Sequence, residues 1–296
     1  MNTVGVLARP GLREAGPVVE ELVGWLYARG IRVCLDQRTA ELVPREPSAR
    51  CVVAAGREMA RLVDALVVLG GDGTLLAASR LLEKTIPVLG VNFGSLGFLT
   101  EIALGELYPT LQGVLEGRSQ HEERRLLRAR ISRRGRPEAT ADVLNDVVIT
   151  KAGPSRIIEV DLAVDGLFVS SFRADGLIVS SPTGSTAYNL AAGGPILHPT
   201  LPALVVTPIC PHMLTNRPLV LSDESRVEVR LRAARDVEVY AALDGQETFA
   251  FADGDSLEVS GSPRRLLLVK APGRDYYQVL RSKLKWGDAF ATERQR

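Results

Sequence analysis

The segment with the sharpest chemical character is residues 70–74, Gly-Gly-Asp-Gly-Thr, which follows an apolar run and precedes a helical pattern. Glycines lack a Cβ, so the backbone beside Asp72 can approach a ligand closely. The start of the following helix would present free N–H groups that favour phosphate. A carboxylate there suits a site where it orients or deprotonates a hydroxyl, or helps to hold a divalent cation. The alternative is a turn without any ligand.

A second glycine-containing loop, residues 92–100 (Asn-Phe-Gly-Ser-Leu-Gly-Phe-Leu-Thr), also follows directly on an apolar run. In open parallel sheets, ligands bind beyond the carboxyl ends of the strands. We therefore expect this loop and the Asp72 loop to border one crevice. Phe93 and Phe98 either line that crevice or belong to the core.

Three later segments place polar residues inside or beside apolar runs. Asn145-Asp146 interrupts the run 143–149; an amide beside a carboxylate suits a base edge and a pair of ribose hydroxyls, and a turn or bulge is the alternative. Residues 173–188 contain small hydroxyl residues and Tyr188, which would make a compact polar wall, with Ser185 capping a short helix from Thr186. Residues 244–246, Asp-Gly-Gln, predict either a β-turn or a site role for Gln246.

The helices and strands that must position these loops show two different sequence patterns, one in the first third of the chain and one after it. In the first third, short apolar runs alternate with helical patterns, which predicts strands at 3–8, 31–35, 65–69 and 87–91 and helices at 18–29, 59–63, 74–82 and 104–115. Nearly continuous apolar strands are typical of parallel strands covered on both faces. This region therefore predicts an α/β domain with an open, mostly parallel sheet.

From about residue 119 onward the pattern favours antiparallel strands. They are predicted at 124–132, 143–150, 157–164, 227–231, 237–243, 256–259 and 266–269, with a hairpin at Asp165-Gly166. A last helix is predicted at 276–286, returning to the first domain. The predicted organisation is one α/β domain, 1–118 plus 274–296, and one β-rich domain, 119–273.

Composition narrows the class of protein. The chain has 296 residues and a formal net charge of +1, so bulk charge gives no case for nucleic acid or an anionic membrane as partner. Its three widely spaced cysteines predict buried, reduced thiols rather than a disulfide framework. No signal peptide and no stretch of membrane-spanning length are recognisable, so we expect a cytoplasmic protein.

The motifs together resemble the bacterial ATP-NAD kinases, in that family's order and spacing. The resemblance rests on residues 70–74, 94–98, 145–146, 175–177, 183–188, 244–246 and 279–287. The Gly-Gly-Asp-Gly-Thr segment also occurs in lipid kinases and phosphofructokinases, whereas the Thr-Gly-Ser-Thr-Ala-Tyr segment at 183–188 is much more specific. The resemblance implies the two-domain architecture and a site between the domains, in which ATP phosphorylates the 2′-hydroxyl of the adenosine ribose of NAD.

The resemblance also implies a role for each matching residue. Asp72 would be the general base, Asp146 would hold ribose hydroxyls and Asn145 the adenine, and Asp175 would approach the nicotinamide end. The further positions implied to bind substrate are Gly71, Gly73, Thr74, Phe98, Arg156, Arg173, Thr183, Thr186, Ala187, Tyr188, Asn189, Leu190, Ala191 and Gln246. ATP with a divalent metal ion, Mg²⁺ above all, is the implied donor, polyphosphate is an alternative donor, and the implied assembly is a homodimer or homotetramer.

Two other functions share parts of this pattern. A lipid kinase of the diacylglycerol or sphingosine type has the same glycine loop, but it needs an apolar tunnel, and the polar segment 183–188 and the near-zero net charge argue against it. A non-catalytic NAD sensor on the same fold has no need of a carboxylate beside a phosphate, so Asp72 argues against that function.

Overall fold

The computed structural model describes residues 1–44, 50–153, 157–232 and 237–286. Arg156, one of the predicted site residues, lies outside the described residues. The chain divides into two compact units, the first made of Met1–Glu123 with Leu266–Arg296 and the second of Arg124–Arg265. The predicted domains divide the chain instead at 118/119 and 273/274, and that division stays a prediction.

The first unit is built on an open sheet of parallel strands. Its strands are β1 (Thr3–Ala8), β2 (Arg32–Asp36), β3 (Val52–Ala54), β4 (Ala65–Leu69), β5 (Pro87–Asn92) and the short β6 (Ile102–Ala103). The order β5-β4-β1-β2-β3 is parallel throughout. The predicted mostly parallel α/β sheet is thereby confirmed.

The first unit also contains helices. They are α1 (Ala15–Tyr27), α2 (Gln37–Ala40), α3 (Gly56–Leu62), α4 (Asp72–Leu81), α5 (Leu107–Leu115), preceded by a 3₁₀ turn at Leu104–Glu106, and a C-terminal helix at Tyr276–Leu284. Apolar residues of α1 recur at helical spacing, and Val19, Leu22 and Leu26 are buried against the fully buried strand β1. The predicted helices are confirmed with shifted ends; α4 begins two residues earlier than predicted, at Asp72 itself.

The second unit consists almost entirely of antiparallel strands, of which the first begins before residue 124 and the last continues beyond residue 265, into residues of the first unit. They are β7 (His121–Arg133), β8 (Arg136–Val143), β9 (Asp146–Lys151), β10 (Ile158–Val164), β11 (Leu167–Ala174), β12 (Gly176–Ser180), β13 (Ala203–Ile209), β14 (Leu219–Ser222), β15 (Val227–Arg232), β16 (Val239–Leu243), β17 (Glu247–Ala250) and β18 (Ser256–Val269). One sheet has the order β14-β13-β12-β9-β16-β17. A second run has the order β11-β10-β15-β18.

Two predicted strand boundaries are wrong. The predicted strand 143–150 is interrupted, because β8 ends at Val143 and β9 begins at Asp146. The predicted strands 256–259 and 266–269 are one continuous strand of 14 residues. The predicted hairpin at Asp165-Gly166 is confirmed, with positive φ at both turn residues (53° and 81°).

The cysteines differ in their burial. All three are free thiols; Cys34 is buried, Cys51 is half-buried and Cys210 is exposed. The prediction of buried thiols is therefore wrong for Cys210, which sits at a loop position with positive φ after β13. Among the helices that the structure describes, none combines the length and the apolar character that a membrane crossing requires.

Candidate functional site

Asp72 stands at the point where strand β4 turns into helix α4. Gly71 precedes the helix in extended conformation, and Asp72 is the first helical residue. The N–H of Gly70 donates to the Val91 carbonyl at 2.9 Å, which ties the end of β4 to the end of β5. A Cβ at position 70 would lie 2.5 Å from Thr74 Oγ1, so the turn needs glycine there for space. The loop thus holds Asp72 at the carboxyl edge of the sheet.

The half-buried Asp72 carboxylate is bound by the second glycine loop. Its Oδ2 accepts from the Phe98 N–H at 2.9 Å. Its Oδ1 accepts from the N–H groups of Leu99 (3.1 Å) and Thr100 (3.0 Å) and from the Thr100 hydroxyl (2.9 Å). The structure therefore brings the two glycine loops together, as predicted. Hydrogen bonds to an ionised carboxylate are among the strong ones, so this arrangement fixes the side chain.

The two phenylalanines of this loop have different environments. Phe93 packs against the hydrophobic core of the first unit, which supports the core interpretation for that residue. Phe98 is half-buried and supplies its backbone N–H to Asp72. Thr100, which donates through both its backbone N–H and its hydroxyl, was not among the predicted site residues. Asp72 lies 28 residues earlier in the sequence, so no local pattern indicated this role of Thr100.

A second polar cluster, in the second unit, is organised by Asp244. Asp244 and Gly245 form a turn with positive φ at both residues (52° and 61°), which confirms the predicted β-turn. The Asp244 carboxylate accepts from three consecutive backbone N–H groups, those of Leu144 (2.9 Å), Asn145 (2.7 Å) and Asp146 (3.1 Å). These bonds hold the chain between β8 and β9 in a bend. They are the reason why the predicted strand 143–150 breaks there.

Asp146 is buried, with 5% of its surface exposed. Burial, and next the negative charge of Asp244, raises the pKa of Asp146 to about 7. Within the described part of the chain, no hydrogen bond reaches its carboxylate, although a buried carboxylate is costly without partners. This carboxylate is thus short of donors, which is the situation that a pair of ligand hydroxyls would correct.

Residues 181–184 pack directly on Asn145. The Ser181 N–H donates to the Asn145 carbonyl at 2.8 Å, and the Ser181 hydroxyl accepts from the Gly184 N–H at 3.1 Å. A Cβ at position 184 would lie 2.2 Å from the Asn145 carbonyl oxygen, so only glycine fits. Thr183 is 6% exposed, and its hydroxyl has no hydrogen-bond partner among the described residues.

The following loop is held by two buried side chains. Asn189 is fully buried, donates to the carbonyls of Ser185 (3.0 Å) and Pro195 (3.1 Å), and accepts from the Thr207 hydroxyl (2.6 Å). The predicted cap is wrong: Ser185 lies within a 3₁₀ turn, Gly184–Thr186, and its hydroxyl donates to the Pro182 carbonyl. A separate helix, α6 (Tyr188–Ala191), follows.

The other predicted residues vary in their surroundings. Asp175 pairs with Lys151 at 2.9 Å. Arg173, Tyr188, Ala191 and Gln246 are exposed, and Thr186, Ala187 and Leu190 are half-buried. Gly71, Asp72, Gly73, Thr74 and Phe98 belong to the first unit, and the remaining described site residues to the second. Their roles as ligand contacts stay predictions.

Two family models together match most of the chain. Residues 4–119 match the model of the ATP-NAD kinase N-terminal domain, and residues 144–271 match that of the C-terminal domain. NAD kinases of Citrifermentans bemidjiense and Geobacter sulfurreducens are 44% and 45% identical to the chain over 97% of its length and 100% of theirs.

Two solved structures share the fold. Yeast NADH kinase complexed with NADH superposes with a TM-score of 0.87 at 26% identity, covering 97% of this chain and 88% of that one. An NAD kinase from Archaeoglobus fulgidus in complex with ATP gives 0.73 at 25% identity, covering 95% and 98%. The chain belongs to the ATP-NAD kinase family.

Proposed function

We propose that the chain transfers the γ-phosphoryl group of ATP to the 2′-hydroxyl of the adenosine ribose of NAD, giving NADP and ADP. The proposal is supported by the nearly full-length relatives, which are NAD kinases, and by the two similar structures, which hold NADH and ATP. The observation that carries it is the Asp72 carboxylate, fixed between two glycine loops at the carboxyl edge of the sheet.

In the proposed reaction Asp72 is the general base. As the ribose oxygen forms its bond to the γ-phosphorus, the bond from that phosphorus to the bridging oxygen breaks, and ADP leaves with the electron pair. The hydroxyl proton passes to the Asp72 carboxylate. A positioned base of this kind contributes about 100- to 10,000-fold to the rate. The remaining acceleration comes from placement and from charge neutralisation at the transferred group.

The second unit is proposed to bind the nucleotide. Asp146, whose carboxylate is buried and short of donors, would accept from a pair of ribose hydroxyls, and Asn145 would contact the adenine. The Thr183 hydroxyl, which has no hydrogen-bond partner among the described residues, suits a polar atom of the base. The further proposed contacts are Gly71, Gly73, Thr74, Phe98, Arg156, Arg173, Asp175, Thr186, Ala187, Tyr188, Asn189, Leu190, Ala191 and Gln246.

In the proposed reaction a divalent metal ion takes part only as an ion bound to ATP, the phosphoryl donor. In the ranges that the structure describes, no group of three or more His, Cys, Asp or Glu side chains is placed to hold a metal ion. Mg²⁺ needs only one or two protein carboxylates when phosphate oxygens and water complete its shell, so it would enter bound to the phosphates of ATP. We further propose a cytoplasmic location, assembly as a homodimer or homotetramer, and no nucleic-acid or membrane partner.

One assay tests the activity. Purified protein is mixed with Mg²⁺ and NAD and with either ATP or polyphosphate, and NADP is followed through an NADP-specific dehydrogenase. We expect NADP to form with ATP; the polyphosphate arm decides whether a second donor is accepted. Phosphorylation of diacylglycerol or sphingosine in place of NAD would overturn the proposed function.

The base assignment is tested by Asp72→Asn. The amide can still accept hydrogen bonds but takes up no proton, so we expect turnover to fall about 100- to 10,000-fold. NAD affinity, measured by isothermal titration calorimetry, should stay close to that of the unchanged protein. The matched control is Asp253→Asn, an exposed carboxylate outside the site. Near-normal turnover of Asp72→Asn would show that Asp72 is not the base.

A further inference from the structure

We propose that Asn92 and Thr100 are positioning residues that aim the Asp72 carboxylate, so that Oδ2, and not Oδ1, takes the proton of the acceptor hydroxyl. The inference rests on the proposed function, because it concerns the base of that same reaction. It is carried by a chain of hydrogen bonds whose direction is fixed from end to end.

The chain of hydrogen bonds begins at a backbone N–H, which can only donate. The N–H of Gly94 donates to Asn92 Oδ1 at 2.6 Å. Because a backbone N–H needs an acceptor, that bond identifies which end of the Asn92 side-chain amide is the oxygen. The NH₂ end of Asn92 must then face the other way, toward Thr100 Oγ1, at 3.0 Å.

The direction of the next bond follows from the chemistry of the two groups. The side-chain NH₂ of asparagine is a donor only, so the Thr100 oxygen accepts from it. A hydroxyl has a single proton, and the Thr100 proton is therefore free to point at Asp72 Oδ1, which lies 2.9 Å away. Thr100 cannot reverse this bond unless Asn92 turns over and loses its bond from Gly94.

The two Asp72 carboxylate oxygens differ in their capacity to accept a further hydrogen bond. Oδ1 receives three hydrogen bonds, two from backbone N–H groups and one from Thr100. Oδ2 receives one within the described part of the chain, from Phe98. Since each carboxylate oxygen offers about two lone pairs, Oδ1 is saturated and Oδ2 keeps a place for an incoming hydroxyl. The relay from Asn92 thus prevents the carboxylate from rotating its free lone pair away from the acceptor.

The relay is tested by removing the hydroxyl of Thr100 while keeping the shape of its side chain. We expect Thr100→Val to lower kcat about tenfold or more, because a hydrogen bond to a charged group is lost, and to leave the KM for NAD within about twofold. Thr100→Ser keeps the hydroxyl and should restore most of the lost kcat. Thr110→Val is the matched control: it changes a buried threonine of α5 in the same unit and should leave kcat unchanged.

A second variant changes the direction of the relay and not its shape. In Asn92→Asp one oxygen still accepts from Gly94, and the other attracts the Thr100 proton away from Asp72. We expect the same selective loss of kcat, of about tenfold, with an unchanged KM for NAD. This variant carries the test if Thr100→Val does not fold, as judged by its thermal unfolding.

The outcomes separate the relay from the activity itself. If the unchanged protein makes no NADP, the proposed function fails. If it makes NADP and either Thr100→Val or Asn92→Asp retains full kcat, the relay is overturned. It is also overturned if Thr100→Ser loses as much kcat as Thr100→Val, or if Thr110→Val is equally slow, since a general loss of packing would then explain the effect.

Discussion

Gly97 allows the backbone to come close to the Asp72 carboxylate, because glycine has no side chain. A Cβ built at position 97 would lie 1.9 Å from Asp72 Oδ1 and 2.5 Å from Thr100 Oγ1. Neither distance is compatible with a side chain, so glycine is required there for space and not for an unusual φ. The four donor groups of residues 98–100 reach the carboxylate only because Gly97 leaves this room.

We therefore expect Gly97→Ala to displace the Asp72 carboxylate and to lower kcat by about tenfold or more, since several hydrogen bonds to a charged group must lengthen. NADP formation by the coupled assay measures this effect. Gly105→Ala is the control, because a Cβ at position 105 meets no atom within 4 Å in the part of the chain that the structure describes. A Gly97→Ala variant with normal kcat would show that the loop can move without disturbing the base.

At the scale of single residues, the sequence could predict what depends on chain neighbours. Short segments of sequence are enough to predict the glycine loop around Asp72, the Asp165 turn and the Asp244 turn. The partners of Asp72 lie 26 to 28 residues further along, and those of Asp244 lie about 100 residues back. No pattern within a window specifies such pairs, so Thr100 and the organising role of Asp244 could not be predicted.

At the scale of elements, helix α1 contains two glycines with opposite surroundings. Gly24 is exposed in the last turn of the helix, and a Cβ there meets no atom of the described residues within 4 Å. Gly16, in the first turn, is buried, and a Cβ there would lie 2.5 Å from the Leu42 carbonyl oxygen. The helix therefore needs one glycine for packing and has no structural need of the other.

Alanine at these two positions should change stability in opposite directions. Gly24→Ala is expected to raise the free energy of unfolding by about 0.5–1 kcal/mol, because alanine loses less backbone entropy in a helix. Gly16→Ala is expected to lower it by about 1–3 kcal/mol, because the backbone must shift to admit the methyl group. Urea unfolding of the two variants measures both values, and equal signs would contradict the packing described for α1.

Elements were predictable where burial gives a periodic or continuous apolar signal. Strands β1 and β4 are fully buried and were predicted with the bounds that the structure has. Strand β3 has only three residues, two of them exposed, and no strand is predicted there. The prediction divides β18 because residues 260–265, Ser-Gly-Ser-Pro-Arg-Arg, include a glycine and a proline, which are rare inside strands.

At the scale of the whole molecule, a formal net charge of +1 leaves little general repulsion near neutral pH. The pH dependence of stability should then depend on a few buried groups with shifted pKa values. Burial tends to raise the pKa of Asp142, but hydrogen bonds from Arg128 and Ser262 outweigh it and hold that pKa below its usual value. Asp142 thus stabilises the fold at neutral pH and ceases to do so as the solution becomes acidic.

Asp146 affects the pH dependence of stability in the opposite direction to Asp142. Its pKa is about 7 in the folded protein, against 3.8 as the reference value, so the folded chain keeps a proton that the unfolded chain loses between these two pH values. Stability is therefore lost as the pH rises from about 4 to about 7, and the loss is complete above that range. We expect Asp146→Asn to be more stable than the unchanged protein by on the order of 2–4 kcal/mol near pH 8 and by almost nothing near pH 4.

Urea unfolding at several pH values measures this difference. The control is Asp253→Asn, which removes an exposed carboxylate and should give a difference that is small and nearly constant with pH. A stability gain of Asp146→Asn that shrinks as the pH rises would contradict the raised pKa of Asp146.

The first unit is discontinuous in the chain, and this affects the order in which a ribosome can complete the two units. The second unit, Arg124–Arg265, is one uninterrupted stretch. The sheet of the first unit acquires its last pairing when Leu267 and Leu268 align with Pro87 and Val88, after the whole second unit has been synthesised. Domains tend to fold in the order of their synthesis, N-terminal first. Here the half of the protein that is translated first is the half that is finished last.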